Sequence, residues 1–145
     1  MNHRLLRVLV VLGAALLVPA CGKKKNGPPP PPPAGDSFAT AYNGGTAPTA
    51  FSGTINPSGD VDYWVVNVNV SSPQQCTITL TPPVGQDYDL YLYDFNQAFY
   101  ASSTNGGSTP DSVTFSGYLG PIYVKIVGFS GASSSSSYNV SVTIN

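Results

Sequence analysis

The chain of 145 residues contains no glutamate, a single histidine and only two arginines. His3, Arg4 and Arg7 all fall within the first seven residues. The remainder therefore lacks the commonest general base, the commonest transition-metal ligand and the forked cation that grips carboxylates and phosphates. Lysine is nearly as scarce, with Lys23, Lys24 and Lys25 standing together and only Lys125 further on. Seven aspartates face that one lysine, so residues 36–145 carry a net charge of −6. Nucleic-acid binding is excluded, because neutralising phosphate needs clustered lysine and arginine. The two cysteines, Cys21 and Cys76, are too few for an internal disulfide framework.

What is present begins with an export signal. "MNHRLLR" is a basic head, "VLVVLGAALLV" (8–18) is an apolar run, and "PAC" brings a small residue, Ala20, to the cut. The run is too short for a membrane span of about 20 residues. Cys21 directly after Ala20 makes "LVPAC" resemble a bacterial lipobox, which implies acylation of Cys21 and a lipid anchor in the membrane. Gly22 follows where an aspartate would mark inner-membrane retention, so the outer membrane is expected over the inner. "GKKKNGPPPPPPAG" then reads as a spacer, its six prolines Pro28 to Pro33 favouring a polyproline II rod of roughly 19 Å. The expected division is a signal peptide (1–20), a lipidated cysteine with a Lys/Pro-rich linker (21–35) and one domain (36–145).

No window of that domain has a helical period, and turn residues recur every eight to twelve positions, which predicts an all-β fold. "DVDYWVVNVNV" sets Trp64, Val66, Val68 and Val70 on one face, and "CTITLT" sets Cys76, Ile78 and Leu80 against three threonines. That parity makes Cys76 a buried small hydrophobe instead of a reactive thiol. "YDLYLYDF" alternates Leu90 and Leu92 with Tyr91, Tyr93 and Phe95, apolar on both faces, as an interior strand requires. "PIYVKIVGF" and the closing "YNVSVTIN" alternate in the same way, and "STNGGSTPD" between strands is a loop by composition. The expectation is a two-sheet antiparallel sandwich, jelly-roll-like, of about seven or eight strands.

Four motifs taken in order, "FSGTINPSGDVDYWVVNV", "TITLTPPVGQDYDLYLYDFNQ", "GPIYVKIVGFSG" and "YNVSVTIN", resemble the bacterial pre-peptidase C-terminal domain. The resemblance covers nearly all of residues 36–145, with "DSFATA" similar to the family's lead-in. It implies a β-sandwich accessory module, of the kind appended to secreted peptidases, and a kinship with collagen-binding domains that take calcium and fibrous substrate. Ile122 stands where the first tyrosine of the family's Tyr-Tyr-Val strand is usual, and Tyr123 is kept.

Three chemistries compete for these residues. Asp87 and Asp89 could be a hydrolytic carboxylate pair, but a catalytic acid needs an apolar pocket, and aspartates beside Gly85 and Gln86 should be wet. No catalytic residue is assigned, and the chain is expected not to be an enzyme. Calcium wants six to eight oxygens, and "SGDVD" and "GQDYD" each place two carboxylates after a turn. Asp60, Asp62, Asp87, Asp89 and Asp36 are therefore the candidate calcium ligands, with turn capping by the same aspartates as the plainer alternative. Tyr91, Tyr93 and Tyr123 are the candidate ligand-binding residues, in an aromatic strip extended by Phe99, Tyr100 and Tyr118, for polysaccharide or fibrous protein. The expected function is non-catalytic adhesion or ligand binding at the cell envelope. The alternative is a calcium-stabilised structural module that assists export or folding of a partner.

Overall fold

The computed structural model describes residues 35–145. The signal peptide, Cys21 and the proline run lie outside the described residues. Seven strands follow one another: β1 (Tyr42–Thr46), β2 (Thr49–Gly53), β3 (Val61–Thr81), β4 (Tyr88–Tyr93), β5 (Phe99–Ser103), β6 (Asp111–Gly128) and β7 (Tyr138–Ile144), with 3-10 turns at Phe38–Thr40 and Phe129–Gly131. The fold is all-β, as the alternation demanded.

Two strands are much longer than the sequence suggested. "DVDYWVVNVNV" and "CTITLT" read as separate strands but run on as the 21 residues of β3, and "SVTFSG" joins "PIYVKIVGF" as the 18 residues of β6. Ser71 to Gln75 has turn composition, yet it interrupts only the register with β6, which resumes at Gln75↔Ser116. Each long strand thereby serves both layers. Val61 to Val70 pairs with Tyr118 to Val127, and this half is extended by β1 on one side and by β4 and β5 on the other. Cys76 to Leu80 pairs with Asp111 to Phe115, and this half is extended by β7 and then β2. All pairings are antiparallel except β1 with β3, so the antiparallel expectation needs one correction. β1 is "YNGGT", whose two glycines leave no alternation to read.

The layers meet over one core. Val66, Val68 and Val70 of the first layer and Cys76, Ile78 and Leu80 of the second are all buried, together with Leu90, Leu92, Ile122, Val124, Ile126, Val140 and Val142. Each buried branched side chain contributes about 1.5–3 kcal/mol relative to exposure. On the opposite face of β3 the threonines pair across the strands, Thr77 with Thr114 at 2.9 Å and Thr79 with the Ser112 hydroxyl at 3.0 Å. Cys76 is buried and free, as its parity predicted.

Leu80 sits at 0 % exposure where β3, β6 and β7 pair. Leu80→Ala is expected to cost about 2–5 kcal/mol, read as a lowered midpoint in urea denaturation, whereas the outward Thr81→Ala should move it by less than about 0.5 kcal/mol.

Candidate functional site

Strand register sorts the candidate residues onto two faces. Directly paired residues of neighbouring strands share a face. Tyr91 pairs with Lys125 and Lys125 with Tyr63; Tyr93 pairs with Tyr123, Tyr123 with Val65, and Tyr93 again with Phe99. Tyr91, Tyr93 and Tyr123 therefore stand together on the outer face of the first layer, all half-buried. Lys125 Nζ lies 5.7 Å from the Tyr63 ring centre and 5.8 Å from that of Tyr91, within cation–π range of both. Phe38, from the first 3-10 turn, packs edge-on against Tyr63, Tyr93 and Tyr123 at centroid distances of 4.7, 5.2 and 5.2 Å.

The sequence strip was broader than this face. Phe99 joins it, 6.0 Å from Tyr93 and strongly exposed. Tyr100 and Tyr118 do not, because they form a separate triangle with Phe115 at 5.4 to 5.8 Å. Tyr63, Phe38 and Lys125 belong to the face and were missed. Tyr63 had a signal, since it lies two residues from Val65 on the parity opposite Trp64. Phe38 had none, because it comes from a turn.

The aspartates divide between two clefts. Asp36, Asp60 and Asp62 line one of about 510 Å3, with Tyr42, Trp64 and the Ser52–Thr54 backbone segment. Asp87 and Asp89 line a smaller one of about 270 Å3, with Tyr91, Thr104, Gly106 and Phe129. Ile126 pairs with both Asp62 and Leu90, while Val127 pairs with both Val61 and Asp89. Asp62 thus points to the inner face and Asp89 to the outer one, with β6 between them. The four carboxylates that could have converged do not meet.

Asp60 is accounted for as a turn cap. Its two oxygens accept the backbone amides of Asn56 at 2.8 Å and Val61 at 3.0 Å. Asp94 caps likewise, its Oδ1 accepting the amides of Asn96 and Ala98. Among the described residues no three acidic, thiol or imidazole side chains gather closely enough to hold a metal ion.

Asp62 and Asp89 are both buried, so Asp89 is not the wet aspartate that Gly85 and Gln86 suggested. They are 6 % and 7 % exposed. Asp62 Oδ2 accepts the Tyr138 hydroxyl at 2.5 Å, and that hydroxyl oxygen accepts Trp64 Nε1–H at 2.8 Å. Trp64 is stacked on Phe51 at 4.4 Å and tilted against Tyr42 at 4.9 Å. A Cβ at Gly53 would strike the Tyr138 hydroxyl and come within 2.9 Å of Asp62 Oδ2, so glycine is required there. Burial raises the Asp62 carboxyl above the usual carboxylate range; the Tyr138 bond opposes this, and Asp60 and Asp36 add to it. Asp89 is raised by burial first, then by Asp111 and Asp87. Asp111 is fully buried, its Oδ1 accepting the Ser103 hydroxyl at 2.6 Å and the Asn105 amide at 2.7 Å.

No family model and no curated protein matches the sequence. Among solved structures, the chain is similar to the pre-peptidase C-terminal domain of a collagenase from Bacillus anthracis, at TM-score 0.55 and 19 % identity over 71 % of this chain and 94 % of that one. A periplasmic inhibitor of g-type lysozyme from Aeromonas hydrophila matches at TM-score 0.49 and 7 % identity, over 72 % and 99 % of the two chains. A family 6 carbohydrate-binding module matches at 0.35 and 10 %, over 70 % and 95 %. The first likeness places the chain in the fold of the pre-peptidase C-terminal domain, as the four motifs suggested.

Two outcomes test the buried network. Asp62 and Asp89 are raised in the fold, so the stability they lend is full below the ordinary carboxylate value and is lost as pH rises through the folded one. The urea midpoint should therefore fall as pH rises from about 4, and Asp62→Asn with Asp89→Asn should flatten that slope. Separately, Tyr138→Phe strips a partner from both Asp62 and Trp64 and should cost about 1–3 kcal/mol by denaturation.

Proposed function

We propose that the chain is a non-catalytic binding module of an exported envelope protein. Cys21 would carry the lipid that holds it to the outer membrane, and residues 36–145 would meet the ligand. The observation that carries this reading is the outer face of the first layer. Tyr91, Tyr93 and Tyr123 stand side by side there, with Lys125 held between Tyr63 and Tyr91. Such a face suits an extended polymer, because repeated rings offer contact area at little conformational cost while each hydroxyl can hydrogen-bond.

Polysaccharide and fibrous protein both present that kind of repeat. The solved domain that shares the fold belongs to a collagenase, which supports the second of these without deciding between them. The absence of histidine, glutamate and arginine beyond Arg7 supports a binding role over a hydrolytic one.

The test is co-sedimentation of the purified protein with insoluble polysaccharides and, separately, with collagen fibrils. Retention on one of them is expected, and Tyr91→Ala with Tyr123→Ala should weaken it by roughly tenfold or more while the melting temperature shows that the fold persists. Retention on neither polymer, or retention that the double variant leaves intact, would sink the proposal.

A further inference from the structure

Lys125 is the single basic residue of 36–145, set against seven aspartates. Register places it in one row with Tyr63 on β3 and Tyr91 on β4, and Ser102 of β5 continues the row beyond Tyr91. Its Nζ lies 5.7 Å from the first ring centre and 5.8 Å from the second, so the ammonium is equally near both. Among the described residues no aspartate forms an ion pair with it. Asp89, on the same face, accepts the Tyr91 hydroxyl through Oδ2 at 3.4 Å instead. In a domain of net charge −6, a lysine set among tyrosines and paired with no carboxylate has its charge unmet.

The surroundings of Lys125 decide what meets it. Phe38 packs edge-on against Tyr63 at 4.7 Å, which restricts that ring. A cation held between packed rings loses little further freedom on meeting an anion. The strands that carry the row, β3, β6 and β4, each pair on both sides. Their amides and carbonyls are committed within the sheet, so this face offers no edge for a peptide strand to join. It offers ring surface, phenol hydroxyls and one ammonium. Sugars meet those groups well, because their C–H faces lie on aromatic rings and their hydroxyls bond to phenols. A carboxylate on the sugar supplies the ammonium with its partner. Asp87 and Asp89 share a cleft with Tyr91, so a densely charged polyanion is repelled. A polymer whose carboxylates are separated by neutral sugars is not.

We infer that the ligand of the outer face is an acidic polysaccharide, and that Lys125 selects it by bonding a uronate carboxylate between sugars stacked on Tyr63 and Tyr91. That role rests on the reading of this face as the polymer-binding surface and narrows it to one class of polymer.

The purified protein is applied to agarose bearing hyaluronan or gellan, whose carboxylates are separated by neutral sugars. It is applied in parallel to the same polymers with their carboxyl groups reduced to alcohols. Retention on the acidic forms is expected to be roughly tenfold tighter. It should weaken with added salt, while retention on the reduced forms should not. Both comparisons use the unaltered protein, so they stand even where a variant misfolds. Lys125→Met keeps the aliphatic stem and should bring the two forms level, whereas Lys125→Arg should keep the preference. Equal retention on acidic and reduced forms, or a preference that Lys125→Met leaves intact, overturns the choice of an acidic ligand. The polymer-binding reading then survives if Tyr91→Ala with Tyr123→Ala still weakens retention. Retention on collagen fibrils alone, lost in Lys125→Met, gives Lys125 to an acidic peptide and overturns the polysaccharide. No retention on any of these polymers removes the face as a binding surface and the role of Lys125 with it.

Discussion

The Tyr138 hydroxyl is the joint on which the sandwich turns. It donates to Asp62 Oδ2 and accepts from Trp64 Nε1, so a side chain of β7 in one layer is bonded twice to β3 in the other. Phe51 of β2 stacks on Trp64, and Gly53 leaves the space that the hydroxyl occupies. Hydrophobic burial holds the layers together but is non-directional. This network has direction, and it fixes how the layers are set against each other. A charged group in such a place is tolerated only because its bonds are made. The same Asp62 lines an open cleft with its Oδ2 committed to Tyr138.

β3 and β6 impose a second constraint. Each crosses from one layer to the other without a turn, so the layers are halves of the same long strands and their registers are tied. The parity of Val66, Val68 and Val70 in the first half and of Ile78 and Leu80 in the second points both sets into one core. That parity also determines the outer faces. Tyr63, Tyr91, Tyr93, Tyr123 and Lys125 can stand together only because the inner positions between them, Leu92, Val124 and Trp64 among them, are committed to the interior. The aromatic face is the obverse of the core.

Legibility in the sequence followed the range of the interaction. "YNVSVTIN" and "CTITLT" alternate so regularly that their buried faces could be read from period alone, and Cys76 fell on the correct side. Asp94 is a turn cap of the local kind that sequence can show, since the amides it caps are two and four positions away. The burial of Asp62 was not legible, because the partner that makes it tolerable, Tyr138, is 76 positions distant. Asp89 was misread for a similar reason, since the loop residues Thr104 and Gly106 share its cleft from well beyond β4. β1 was invisible because "YNGGT" has no side-chain pattern, only a backbone that pairs in parallel with β3.

The divided aspartates show why spacing alone could not establish a cation site. "GDVD" and "QDYD" carry the same i, i+2 pair, and both lie where a strand begins. In each, one aspartate lies at or just before the strand and the second lies within it. What separates the pairs is a single step of register on β6: Asp62 stands opposite Ile126, whereas Asp89 stands opposite Val127. A one-residue step reverses the face to which a side chain points. It sends Asp62 inward to Tyr138 and Asp89 outward beside Tyr91. Two identical motifs thereby acquire different surroundings, one backed by tryptophan and tyrosine at the edge of the core, the other beneath the loop after β5. Had the register on β6 matched, the second aspartates of both motifs would share a face with one strand between them. The aromatic outer face and the acidic cleft are separate features of this molecule because that step keeps them on opposite sides of one sheet.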